Sequence, residues 1–448
     1  MSQALDITPE AAAPEPPGAE PHPPLRANRD FRLLWGGQTV SLIGSEVTEV
    51  AFPLLAILVL KASPGQLGLI GAARTLPALA VTLFAGVVVD RMRRRRAMLL
   101  ANLARAGVVG SVVLLAWTDG LSVAALCLLG FALGGFGILF DLADQAVLPS
   151  LVRADDLAKA NSSLEASLNV ARIGGPGLAG LLVSLLRAPG ALLVDCVSYL
   201  VSALSLCLIR TPEAHRQPPV QQRGSIWAEI GSGLRFTFGN RYLRALTLEA
   251  GVFNFGIQIF LTLFLLFGIR DAHLSAAELG AAMAVGSVGG LAGALAMPRV
   301  VERLGLGRAL VVSVVIAGLG PFGTPLFTRP TGLVIPMIAL SFFVTLFGVV
   351  LSSICAAVLR QCLTPDELMG RAAAAERFVT GGVLPIAALA AGFLGGLIGV
   401  RWALFVGAAC LPLSLLPVLF SPLKRLTSPD EAIAAQAAEA GTADGDTA

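Results

Sequence analysis

The sequence predicts an all-α membrane protein with twelve transmembrane helices in two six-helix pseudo-repeats. Three observations lead there. The 448 residues are 55% hydrophobic and only 14% charged, where a water-soluble domain carries about 25% charge. Apolar runs long enough to cross a bilayer recur along the whole chain, about 20 helical residues spanning roughly 30 Å of hydrocarbon. Charged landmarks of the first half return in the second at an offset of about 212 residues, the interval from Asn28 to Asn240.

In chain order, residues 1–25 are rich in Pro, Ala and Glu and read as a disordered tail without the basic-then-apolar order of a signal peptide. Spans are expected at 33–59, 65–89, 98–117, 121–148, 163–186 and 190–209 in the first half. The second half is expected to span at 242–268, 275–297, 309–327, 332–358, 373–398 and 402–420. The segment 211–240 is a linker, in which Ile226, Trp227, Ile230 and Leu234 share one helical face. That pattern predicts a short amphipathic helix on the inner membrane surface. The units are therefore 26–210 and 241–425, with 426–448 a flexible polar tail.

The basic residues orient the chain. Of 32 Lys and Arg, only Lys61, Arg187, Arg270, Arg329 and Arg401 fall in segments on the side away from the termini. Arg74, Arg105, Arg172 and Arg377 lie within spans, and the rest lie on the side of the termini. This asymmetry places both termini in the cytoplasm. The halves also match at Arg29 and Arg241, Gly44 and Gly256, Ser63 and Ser275, Gly68 and Gly280, and Asp90 and Glu302. Two parallel repeats that enclose a site between them are a transporter plan.

Several chemistries lack their residues. Cys127, Cys196, Cys207, Cys355, Cys362 and Cys410 form no CxxC, and His22, His215 and His273 are scattered. No metal cluster, disulfide framework or cofactor site is expected. None of Lys61, Lys159 and Lys424 follows a glycine, so a phosphate loop of the Walker type is absent and the chain is not read as an enzyme.

The segment after the second span contains Gly86, Asp90, Arg91, Arg94 and Arg95. It resembles motif A of the major facilitator superfamily, with Val88 for the usual Leu and Arg93 for the second Gly. Such a carboxylate can bond to a helix N-terminus in the other half, where partial positive charge collects. The arginines can bridge to carboxylates, with Asp141 and Asp144 as candidate partners; the bland alternative is arginines that only enforce topology. In span five, Gly175, Pro176 and Gly180 resemble the superfamily's antiporter-associated motif C, with Ala171 and Ala179 replacing two glycines. Proline there permits a bend, and glycine permits close packing.

With Asn28-Arg29-Asp30, Arg74-Thr75-Leu76-Pro77, Leu157-Ala158-Lys159 and Pro365-Asp366-Glu367, these motifs resemble the macrolide-efflux and enterobactin-exporter branch, the transmembrane secretion effectors. The resemblance covers roughly residues 26–425. It implies a monomeric, proton-coupled exporter of small amphipathic compounds in a bacterial cytoplasmic membrane, of drug, macrolide or siderophore type. Its partners would be substrate, protons and lipid, with no nucleic acid. Import of a metabolite by proton symport and a non-transporting membrane sensor are the alternatives.

Ionisable groups inside hydrocarbon cost at least about 2.5–3.5 kcal/mol and mark function by default. Glu46 and Glu49 lie mid-span, three residues apart on one face of the first helix. Either is a candidate proton or cation carrier, or a fixed partner of Arg74 or Arg172. Those two arginines can be carboxylate partners, substrate contacts or packing charges. Glu249, Asn254 and Gln258 recur on span seven at spacings that suit one cavity-lining side; the two amides can equally bond between helices. Arg105, Asp195, Glu376 and Arg377 lie nearer span ends and read as interfacial or structural.

Overall fold

The computed structural model describes residues 24–25, 27–80, 92–211, 226–326, 332–365 and 368–434. Gly86, Asp90, Arg91, Asp366 and Glu367 lie outside them, as do the first tail and the end of the second. All secondary structure among the described residues is helical. The first half comprises α1 (Arg29–Leu58), α2 (Pro64–Thr75, resumed at Pro77–Ala80), α3 (Arg94–Trp117) and α4 (Val123–Val147). The apolar stretch Leu157–Leu208 leaves helical geometry at Arg187, where φ is 59°. It is therefore two antiparallel spans, α5 (157–186) and α6 (188–208). The linker helix α7 is Ile226–Gly239. The second half is α8 (Arg241–Arg270), α9 (Ala276–Leu304), α10 (Leu306–Leu319, with a 3-10 extension to Leu326), α11 (Val334–Leu363), α12 (Met369–Leu397) and α13 (Val400–Leu413, resumed at Leu415–Leu419). Counted without α7, these are the twelve expected spans.

The residues that repeat between halves do the same structural job in each. Asn28 caps α1 by accepting from the Phe31 amide, and Asn240 caps α8 by accepting from Tyr242 and Leu243. Ser63 with Gln66 makes a capping box at the start of α2, and Ser275 with Glu278 makes another at the start of α9. Each cap satisfies helix-end amides that would otherwise lack partners. Gly44 lets α1 approach Asp195 and Ser198 of α6, while Gly256 lets α8 approach Gly407 and Cys410 of α13. The pseudo-repeat is thus written in caps and close approaches as well as in hydropathy.

Many large apolar side chains point outward, among them Leu128, Leu185, Phe393 and Leu397. In a span this surface meets lipid, so helix contacts rely on small residues. The halves come closest at the span ends away from the termini. There Gly68 of α2 meets Ala388 and Gly392 of α12, and Gly180 of α5 meets Ala276 and Gly280 of α9. The Arg270 guanidinium also donates to the Ala62 carbonyl at 3.0 Å.

Two segments differ from expectation. The helix α7 packs against α12, with Gly233 pressed on the Arg371 backbone and Thr237 buried, so it is joined to the bundle. Residues 426–434, expected as the start of a flexible tail, are held to the bundle. Leu426 and Ala432 are buried, and the Leu306 and Gly307 amides donate to Thr427 and Leu426. The apolar pair in a polar stretch explains the anchoring.

Candidate functional site

Two of the cavities among the described residues gather the intramembrane charges. The first, about 300 Å³, lies mainly within the first half. The α1 residues Ser45, Thr48 and Glu49 line it with Arg74 of α2, Arg105 of α3 and Tyr199 of α6. Gln258 of α8 closes it from the other half. The Arg74 guanidinium donates to Glu49 at 2.5 Å and stacks over the Phe52 ring. Glu46, one helical turn away, is half-buried and rests against Gly175 of α5, where a larger residue would strike its Cβ. Arg172, on the same helix as Gly175, is exposed and within electrostatic reach of Glu46. The two glutamates therefore take different partners: Glu49 a direct ion pair, Glu46 a backbone groove supplied by the motif-C glycine.

Beneath this cavity lies a polar network that the sequence did not reveal. Thr48 donates to Asp195 at 2.5 Å, and Ser198 donates to the same carboxylate at 2.8 Å. Arg105 donates to the Ser45 and Tyr199 oxygens at 3.0 and 2.8 Å and lies over the Tyr199 ring. Asp195 has no exposed surface. A buried charge of this kind persists because hydrogen bonds compensate its desolvation. Arg105 and Asp195 are thus internal groups joining α1, α3 and α6 rather than interfacial charges.

The second cavity, about 440 Å³, lies in the second half between α8, α11 and α12. Glu249, Arg360 and Glu376 stand at one end, and Phe260 and Phe342 at the other. Arg360 bonds to Glu376 at 2.8 Å. Phe264 packs edge-on to Phe342 with ring centroids 4.8 Å apart. Asn254 lines this cavity and donates to the Ala250 carbonyl of its own helix. The expectation of one shared side for Glu249, Asn254 and Gln258 is corrected: the first two face the second cavity and Gln258 the first, since at about 3.6 residues per turn Gln258 stands on the side of the helix opposite Glu249. Glu376 is corrected likewise, from an interfacial charge to a cavity wall. Arg360, counted with the topological arginines, was missed because its partner lies on another helix.

The two expected partners of the charged loop have other contacts among the described residues. Among the described residues Asp144 is bonded by the Gln38 side chain of α1, not by an arginine. Asp141, on the same helix, is within electrostatic reach of Arg105. Arg94 and Arg95 open α3, half-buried. Pro176 is buried with its carbonyl toward Gly280, and α5 keeps helical geometry through it. The motif-C segment thus packs against α1 on one side and α9 on another. No group of three or more His, Cys, Asp or Glu able to hold a metal occurs among the described residues.

Two six-helix repeats around internal cavities define a multi-pass membrane transporter of the major facilitator fold. Residues 19–442 match the family described as transmembrane secretion effector, and the chain belongs to that family. It is 31% identical to the multidrug efflux pump Tap of Mycolicibacterium fortuitum, over 86% of this chain and 94% of that one. It is 26% identical to macrolide efflux protein A of Streptococcus pyogenes, over 58% of this chain and 65% of that one. A bacterial homologue of the iron transporter ferroportin, crystallised in its inward-facing state, superposes with a TM-score of 0.68 at 18% identity, covering 87% of this chain and 98% of that chain.

Proposed function

We propose that this protein exports small amphipathic compounds of drug or macrolide type from the bacterial cytoplasm by proton antiport and alternating access. Family membership and similarity to proteins named as efflux pumps support the direction of transport. The observation that carries the coupling is the placement of Glu49, ion-paired to Arg74 yet exposed at a cavity that both halves line. A proton on Glu49 removes its charge and its attraction to Arg74. Export then requires that proton release and cargo release occur on opposite sides, so that each state binds one of them better. Glu46, set against Gly175 with Arg172 nearby, is the second candidate carrier.

In this reading both termini are cytoplasmic and the close approaches at Gly68 and Gly180 seal the external side, giving an inward-facing arrangement. Gly86, Asp90, Arg91, Arg94 and Arg95 act as the cytoplasmic gate when that side closes. The test is accumulation of a fluorescent hydrophobic dye in cells with and without the protein, with and without a protonophore. Lower accumulation that the protonophore abolishes is expected. Normal proton-dependent export by both Glu46→Gln and Glu49→Gln removes these carboxylates from the coupling.

A further inference from the structure

The second-half cavity has a carboxylate without a direct partner at one end and an aromatic wall at the other. Arg360 is committed to Glu376 at 2.8 Å. Glu249 projects from α8 into the same end, is 6% exposed, and has no hydrogen-bond or ion-pair partner among the described residues. Arg360 also acts on Glu249 without bonding to it, and Arg377 acts on Glu376. Arg360 is the guanidinium that lines this end and it is bonded to Glu376, so Glu249 is the carboxylate left without a direct partner. A buried carboxylate without a direct partner is relieved either by a proton or by a cation placed beside it. At the opposite end Phe260 and Phe342 offer ring surface with centroids 6.3 Å apart. The volume, about 440 Å³, falls in the range of small-molecule pockets.

We infer that this cavity binds the cationic group of the cargo at Glu249 and its apolar body against Phe260 and Phe342, as a site separate from the Glu46/Glu49 pair. The cargo class is then a lipophilic cation, such as a protonated amine. An anion is disfavoured because it would meet the unbonded Glu249 carboxylate while Arg360 is held by Glu376. The arrangement divides labour between the halves: the first exchanges protons, and the second holds the ligand's charge. The inference names the cargo of the exporter read above and so rests on that reading.

The test measures binding of tetraphenylphosphonium to the purified full-length protein at fixed pH by calorimetry, with neutral triphenylphosphine oxide as the apolar control. Glu249→Gln is expected to weaken the cation by about tenfold or more while leaving the neutral probe within about twofold. Ser353→Trp, which fills the cavity from α11 and leaves the carboxylates in place, is expected to block both probes even if Glu249→Gln fails to fold. Unchanged cation affinity in a folded Glu249→Gln protein overturns the inference. A shift only in the pH dependence of transport, with binding intact, makes Glu249 a proton site and also overturns it. Absence of protein-dependent dye export in cells, with Glu249-dependent binding intact, counts against the export reading alone.

Discussion

Arg74 reaches Glu49 at 2.5 Å and ties α2 to α1, yet 62% of the Glu49 side chain remains exposed. An ion pair this accessible contributes only about 0–1 kcal/mol to stability. Its value lies in what its breaking permits. Glu49→Gln is therefore expected to leave the thermal midpoint in detergent nearly unchanged while protonophore-sensitive dye export falls toward that of cells lacking the protein. A large loss of thermal stability with normal export per folded molecule would make the pair structural.

The crossing of α5 and α9 supplies a second prediction. A Cβ on Gly280 would lie 2.5 Å from the Pro176 carbonyl, and one on Gly180 would lie 2.4 Å from the Ala276 carbonyl. Neither helix has room for a side chain there. Gly280→Leu is expected to hold the two helices apart at this end and shift the population away from the closed arrangement. Spin labels at Ser184 and Ala277, with the native cysteines replaced, should report a longer and broader distance than in the parent. An unchanged distance would show that the contact does not control closure.

The sequence made the architecture legible because spans, caps and repeats are local. Apolar length found the helices, and the landmarks shared by Asn28 and Asn240, or Ser63 and Ser275, proved to be helix caps in register. The site was only half legible. Glu46, Glu49 and Arg74 stood out because charge inside a long apolar run is costly. Arg360 and Glu376 did not, because each lies toward a span end and their meeting depends on how α11 packs against α12. The Thr48–Asp195 bond escaped for the same reason, joining residues 147 positions apart. Periodicity also overreached on α8: its polar residues serve two cavities.

The buried Asp195 offers a stability test. Thr48 is one of two side chains donating to it, and neither Thr48 nor Asp195 has appreciable exposure. Thr48→Val preserves shape and removes one donor from a buried carboxylate, a change expected to cost about 1–3 kcal/mol. The thermal midpoint in detergent should fall by several degrees. Thr48→Ser, which keeps the hydroxyl, should recover most of it; equal losses in both variants would assign the effect to packing of the methyl group.

The C-terminal anchor yields a pH prediction. Hydrogen bonds from Thr427 hold the Glu431 carboxyl below the usual 4.5 of a glutamate, and the Thr427 amide donates to it at 2.7 Å. A carboxylate lowered on folding stabilises above its unfolded value and loses that contribution as the pH falls through the folded one. Thr427 and Leu426 in turn accept from the Leu306 and Gly307 amides that open α10. At pH above about 6, where the carboxylate is ionised, Glu431→Gln is expected to speed hydrogen exchange at Leu306 and Gly307 relative to the parent. Below pH 4.5, as the pH falls through the lowered folded value and the parent's carboxylate takes up protons, the two rates should converge. A gap that stays constant across that range would mean that the buried Leu426 and Ala432, rather than the Glu431 charge, hold the segment against α10.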